Sequence, residues 1–187
     1  QDLWDVFNME TNLFPCLVDM KFKGVRVDAE KAAALKKQLT KTEKDLHRDI
    51  KKLIGFEVEI WAASSIQKAF DNQKIPYDRT DKGAPSFTKN FLATHPHELP
   101  KLINEAREIN KANTTFIETI LKHEHNGRIH SDINQIRSDD GGTVTGRFSY
   151  SNPNLQQIPA RHKELGPMIR SLFIPEQGCK WGCFDYS

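Results

Sequence analysis

Cysteine is scarce in this chain: Cys16, Cys179 and Cys183 are the only three in 187 residues. Three thiols do not make a disulfide framework. Cys179 and Cys183, read as lying on one strand, would sit roughly 13 Å apart between their alpha carbons, too far to bridge without a turn. A reducing, cytoplasmic compartment is therefore expected. No apolar run reaches the length of a membrane span, and the first residues are not a basic leader followed by a hydrophobic core, so no membrane association is expected. An excess of one charge is also missing: the net charge of +2 excludes a polybasic tail and leaves any nucleic-acid binding to local patches. Two such patches are visible. Residues 30–52 hold eight Lys/Arg against four Asp/Glu, and residues 144–174 hold four against one. The hydrophobic content of 37% with 9 prolines and 10 glycines reads as globular, in one large domain or two small ones. Gln1 in place of methionine fits a trimmed, processed or incompletely covered chain.

The stretch richest in chemistry also has an absence. Thr143 to Arg161 contains no acid in nineteen positions, yet carries four Ser/Thr hydroxyls, two asparagines, two glutamines, and Arg147 directly after Gly146. Gly146 permits close backbone approach, while Pro153 and Pro159 fix the chain where amides and hydroxyls cluster. Such a surface suits a polymer with regular acceptors: Arg147 and Arg161 match phosphate or base-edge acceptors, and Asn154, Gln156 and Gln157 both donate and accept. From composition alone, a turn-rich loop whose polar groups cap one another is an equal reading.

Elsewhere the periodicity is mainly helical. Leu3, Trp4, Phe7, Met9, Leu13, Leu17, Val18, Met20 and Phe22 recur at helical spacings and are expected in the core. Gly24 reads as a turn, Val25 and Val27 as a short strand, and Asp28 as an N-cap. Ala32, Leu35, Leu39, Leu46, Ile50 and Leu53 form the seam of a helix over 29–54, interrupted at Thr42, with Glu30 in its first turn, Lys51 and Lys52 in its last, and Gly55 as its stop. Ser64 and Gln67 fit a capping box before a short helix through Phe70. His95-Pro96-His97 breaks the pattern, and a second long helix is expected from His97 to Leu121, with Pro100 in its first turn. His95/His97 and His123/His125 form two H-x-H pairs that lack the cysteine or carboxylate partners of a zinc site. Asn126-Gly127 signals a turn into a strand over 128–133 with Ile129, Ser131 and Ile133 on one face. A short amphipathic helix over 167–173, a turn over 175–178 and a strand from Cys179 to Asp185 complete the chain.

The string T-G-R-x-S-x-x-x-P-N-L-Q-x-I-P-x-R within residues 145–161 resembles the signature through the palm of family A DNA polymerases, the class that includes bacterial DNA polymerase I and many phage replicases. Asp185-Tyr186-Ser187 resembles the start of that family's first catalytic palm motif. Met20 to Asp28 is similar to the M-x-x-x-G-V-x-V-D that precedes the thumb, with Glu10 and Pro15 at matching upstream positions. Arg107, Lys111 and the doubled Thr114-Thr115 resemble the R-x-x-x-K-x-x-x-T of the helix returning to the palm, and Gly127 to His130 matches the return itself.

The resemblance implies an α+β fold, a helical thumb followed by the first strands of a polymerase palm, and so an incomplete core. It divides the chain into a lead-in at the palm base (1–28), a helical thumb (29–125) and the N-terminal part of the palm (126–187). It implies template-directed transfer of deoxynucleotides to a primer 3′ end by two Mg²⁺ ions. Asp185 would be the catalytic metal ligand, with the backbone carbonyl of Tyr186 assisting. Arg147 would meet the minor groove near the primer terminus, Asn154 and Gln156 the adjoining duplex, and Arg161 and Arg170 the backbone or the palm itself. Arg107 and Lys111 would meet the DNA backbone, although read from spacing alone they are equally a solvated basic edge. Lys36, Lys37, Lys41, Lys44, Ser86, Thr88 and Lys89 are further candidate backbone contacts. Primer-template DNA, deoxynucleoside triphosphates and a complementary chain carrying the fingers would be partners, in a bacterial or phage-infected cytoplasm. The second catalytic carboxylate finds no matching motif here, so the chain alone is expected to be inactive. The competing reading is a noncatalytic DNA-binding or accessory module derived from a polymerase.

Overall fold

The computed structural model describes residues 3–137, 142–160 and 162–184. Two compact units form: Gln1–Ala34 together with Phe116–Ser187, and Leu35–Thr115. The residues expected as lead-in thus share a unit with those expected as palm, and residues 116–125 belong there too.

The second unit is built on α2 (Ala29–Ile54), which has the bounds its apolar seam implies. Leu35, Leu39, Leu46 and Ile50 are buried on one side; Ile54 rather than Leu53 completes the seam. Between Leu39 and Leu46 the buried side is polar for a reason that periodicity does not reveal. Asn110 donates to Glu43 Oε1 at 2.8 Å, and Asn113 donates to Thr40 Oγ1 at 3.1 Å. Both asparagines come from the second long helical stretch, which is not continuous as expected. It runs as α5 (Glu98–Lys111), a π-helical turn over Ala112–Ile117, and α6 (Glu118–His123). The π turn contains the doubled threonines Thr114-Thr115, and its wider hydrogen-bond ring is how a helix absorbs an extra residue.

Between α2 and α5 lie α3 (Ala63–Asn72), the two-stranded β2–β3 (Asp78–Arg79 and Pro85–Ser86) and α4 (Lys89–Thr94). Phe70 is fully buried at their centre, with rings of Phe87 at 4.8 Å and Tyr77 at 6.1 Å. The expected capping box is absent. Helix α3 starts at Ala63 with no side-chain cap, Ser65 Oγ accepts from the amide of Glu59 instead, and Gln67 donates to the Tyr77 hydroxyl.

Arg107 of α5 ties this region together from inside. Its Nε donates to the Ile60 carbonyl at 2.6 Å, its Nη1 donates to the Phe87 carbonyl at 2.7 Å, and its guanidinium lies 5.1 Å from the Trp61 ring centre. Burial pulls its pKa below the usual arginine value, yet a guanidinium stays charged in proteins. The Trp61 indole in turn donates to Asn110 Oδ1 at 3.0 Å.

The first unit begins with α1 (Trp4–Lys23). Nine apolar residues from Leu3 to Phe22 were expected in the core, and the structure corrects this: of them only Leu17 is buried, while Trp4, Phe7, Val18 and Phe22 are among the exposed ones. Helical spacing shows that a segment forms a helix, not what covers it. After Gly24, β1 (Val25–Arg26) pairs antiparallel with β5 (Arg128–Ile129), which pairs with β4 (Glu124–His125). Asn126 and Gly127 join β4 to β5 with φ of 51° and 76°, the left-handed pair of a two-residue hairpin. On its other side the 25–28 segment meets the end of the chain: Val27 bridges Phe173, and Asp28 donates its amide to the Leu172 carbonyl. Asp28 also caps α2, its Oδ1 accepting from the Lys31 amide at 2.8 Å.

Helix α7 (Leu165–Arg170) buries Leu165 and Ile169. The turn after it is fixed by Glu176, which pairs with Arg128 and Arg26 and is thereby held below the usual carboxylate range, Arg128 contributing most. Residues 179–184 do not form the expected strand; they are exposed and join no strand ladder, with Cys179 and Cys183, like Cys16, free and exposed. A strand needs a neighbour for its ladder of hydrogen bonds, and no described segment supplies one.

Two outcomes check these contacts. Replacing Arg107 by lysine keeps the charge but cannot serve two carbonyls from one planar group, so Arg107→Lys should destabilise the chain nearly as much as Arg107→Ala, by about 2 kcal/mol in urea titration. Gly24 has φ 62°, and a Cβ there would lie 2.7 Å from both His130 Nδ1 and the Ile129 carbonyl oxygen. Gly24→Ala should therefore cost about 1–3 kcal/mol by the same measurement.

Candidate nucleic-acid interface

The acid-free stretch folds back on a two-stranded ladder. β6 (Asp132–Asn134) pairs antiparallel with β7 (Ser149–Ser151), placing Asp132 opposite Ser151 and Asn134 opposite Ser149. The loop before β7 is braced internally: Thr143 Oγ1 donates to the Arg147 carbonyl at 2.7 Å, and Gly146 has φ 72°. The side chain of Arg147 is exposed.

After β7, Asn152 adopts φ 51°, a left-handed conformation that asparagine tolerates better than most residues. Pro153 is buried, and Asn154 starts a 3₁₀ turn over Leu155–Gln157, its Oδ1 accepting from the Gln156 amide at 3.0 Å. The Gln156 side chain then reaches back and donates to the Phe148 carbonyl at 3.0 Å. This bond brings the Gly146-Arg147 segment beside Asn154-Leu155-Gln156, so three of the expected duplex contacts, Arg147, Asn154 and Gln156, share one exposed surface. The stretch that carries them holds a cation and amides with no acid in its sequence.

The turn is anchored from beneath by Asp132. Its Oδ2 accepts from Asn152 Nδ2 at 2.9 Å while its Oδ1 pairs with Lys21 of α1. These two hydrogen bonds, Lys21's first and Asn152's second, hold its carboxyl below the usual range. A similar tie runs from Gln135 to Glu10 of α1, with Nε2 bonded to the Glu10 carbonyl and carboxylate. Sequence reasoning missed Asp132, Lys21 and Asn152; the available signal was the Asn-Pro pair at 152–153, a turn mark whose partner sits twenty residues away.

The other expected contacts are placed differently. Arg170 is exposed in the last turn of α7. Lys111 is exposed in the other unit, and Arg107 is half-buried with two of its donors taken by carbonyls, so it also braces the unit from within. Lys37, Lys41 and Lys44 are exposed along α2. Thr88 caps α4 through the Phe91 amide, and Lys89 pairs with Glu108 at 2.8 Å. Arg161, Asp185 and Tyr186 lie outside the described residues.

A Mg²⁺ pair needs several oxygen ligands per ion. Among the described residues no group of three or more His, Cys, Asp or Glu could hold a metal. The described residues therefore do not make up a complete two-ion site.

The Asp132 anchor has a pH signature. Because its folded pKa is lowered, its stabilisation is fully present above the ordinary aspartate value of about 3.9 and is lost as the pH falls through the lower folded value. The melting-temperature gap between wild type and Asp132→Asn should be widest near neutrality and shrink below about pH 4 in a calorimetric series.

Comparison with known proteins gives this geometry its context. The model of DNA polymerase family A matches residues 29–187. A DNA-directed DNA polymerase of Pseudomonas phage M6 is 34% identical, across 100% of this chain and 30% of its own length. The DNA polymerase DpoZ of Acinetobacter phage SH-Ab 15497 is 37% identical, across 99% of this chain and 33% of its own. A solved structure of the POL domain of Pol1 from M. smegmatis, in complex with DNA primer-template and dNTP, matches 87% of this chain and 28% of its own, with a TM-score of 0.75 and 25% identity. The chain thus spans about a third or less of the length of these relatives, in a region of helical thumb followed by the first part of the palm. With most of its length matched by the family model and its fold shared with a polymerase domain, the chain belongs to DNA polymerase family A.

Proposed function

We propose that this chain supplies the thumb (29–125) and the N-terminal part of the palm (126–187) of a template-directed DNA polymerase, with 1–28 as the lead-in at the palm base. Its substrates are a primer-template duplex and deoxynucleoside triphosphates, used in a bacterial or phage-infected cytoplasm. The observation that supports this reading is the Gln156–Phe148 hydrogen bond, which ties the segment of Arg147 to that of Asn154 and Gln156 within one acid-free stretch. Donors presented together in this way suit the minor groove, where the acceptors of all correct base pairs are shared and geometry can be sensed without reading sequence. Arg161, Arg170 and Lys111 add charge for the phosphate backbone.

In the complete polymerase, Asp185 and the Tyr186 carbonyl would be among the ligands of Mg²⁺, which would supply charge neutralisation for phosphoryl transfer. The residues of this chain hold and orient the duplex beside that site. The remaining carboxylate and the nucleotide-gripping fingers belong to the rest of the enzyme or to a complementary chain.

The test joins binding to activity. The purified chain should bind a primer-template duplex with a salt-dependent affinity, and Arg147→Ala should weaken that binding about tenfold. It should not extend the primer by itself in the presence of Mg²⁺ and dNTPs. Extension by the chain alone would overturn the division of labour. Duplex binding indifferent to Arg147, Asn154 and Gln156 would overturn the interface.

A further inference from the structure

We propose that Asp132 is a positioning residue for the duplex-facing turn, its carboxylate joining Lys21 of α1 to Asn152 and so fixing the conformation in which Asn154 and Gln156 are presented. The inference rests, for its consequence on DNA, on the reading that these two residues meet the duplex; its structural part stands without that.

The connectivity carries the argument. Asp132 is the first residue of β6 and pairs with Ser151, the last of β7. The backbone ladder therefore stops one residue before Asn152, which is left-handed, and nothing in the ladder restrains it. The restraint comes from the side chain: Asn152 Nδ2 donates to Asp132 Oδ2 at 2.9 Å. The other carboxylate oxygen is occupied by Lys21 Nζ, so the carboxylate cannot rotate toward solvent without giving up an ion pair.

Lys21 itself sits on a helix tied to the same ladder. Its backbone carbonyl hydrogen-bonds His130 Nδ1 at 2.9 Å, and Glu10 holds Gln135 on the far side of β6. The anchor is thus fastened to α1 at both ends of β6. Downstream, the turn's hydrogen bonds among the described residues are local: Asn154 Oδ1 to the Gln156 amide, the Asn154 carbonyl to the Gln157 amide, the Leu155 carbonyl to the Ile158 amide, and Gln156 to Phe148. Asp132 adds the side-chain tie from this segment to α1, although it lies outside the signature itself.

The experiment is amide hydrogen exchange by NMR on the full chain, comparing wild type, Asp132→Ala, Asp132→Glu and Lys21→Met. Loss of a charge-assisted hydrogen bond predicts that the Gln156 and Gln157 amides exchange about tenfold faster in Asp132→Ala. Ile133 and Tyr150 in the ladder should keep their rates, Lys21→Met should show a smaller change of the same kind, and Asp132→Glu should recover part of the protection. Unchanged Gln156 and Gln157 rates overturn the proposal; so does an equal acceleration of Ile133 and Tyr150, which would mean general loss of the unit. A second readout, affinity for a primer-template duplex, separates this inference from the functional one. Asp132→Ala and Gln156→Ala should each weaken binding, and their combination should fall short of the product of the two losses. Multiplicative losses overturn the proposal. If wild type fails to bind duplex while the exchange pattern appears as expected, the polymerase interface is wrong and the positioning role stands.

Discussion

The backbone of residues 25–28 is hydrogen-bonded along both of its edges. On one side Val25 and Arg26 pair with β5, and the Val27 amide donates to the Gly127 carbonyl. On the other, the amides of Asp28 and Ile174 bond Leu172 and Arg26 carbonyls. Four residues from near the start of the chain are thereby fixed between two segments more than a hundred positions later. Everything that presents the polar surface follows from this: β5 leads directly into β6, β6 carries β7, and β7 ends at the turn of Asn154 and Gln156. The same segment ends in Asp28, whose carboxylate accepts from the Lys31 amide and so caps α2.

The second unit is organised differently. Its aromatic centre around Phe70 is an ordinary apolar core, but the Arg107 guanidinium is placed across the 58–61 loop and the end of β3, holding irregular backbone that no ladder could hold. The spacing of Arg107 and Lys111 on α5 invites the reading of a phosphate contact. Here the carbonyl groups of Ile60 and Phe87 take it first. Unpaired carbonyls at loop ends need donors near at hand, and arginine can serve two of them from one rigid plane.

Much of this was legible in the sequence where local chemistry decides the outcome. The α2 seam, the Asp28 cap and the Asn126-Gly127 turn depend on residues within a few positions of one another. The signature from Thr145 to Arg161 identified the family. What was not legible depends on distant partners. The Ser64 capping box lost to Ser65 and Glu59, which meet only after the loop folds back. The α1 residues have helical spacing, yet spacing is silent about what lies against them. The strand expected after Cys179 has alternation but no neighbour. Asp132 carries no motif, because its meaning comes from Lys21 and Asn152, one far before it and one far after.

The three thiols have a practical consequence. All are exposed, and all lie in the unit that carries the polar surface; the stretch from Leu35 to Thr115 contains none. A maleimide dye or nitroxide attached to the native chain would therefore report on one unit alone, with no background from the other. Cys183 would carry the probe two positions from Asp185. One cysteine introduced on the exposed side of α2, with the native thiols reduced to a single site, would turn the chain into a two-point ruler with one label in each unit.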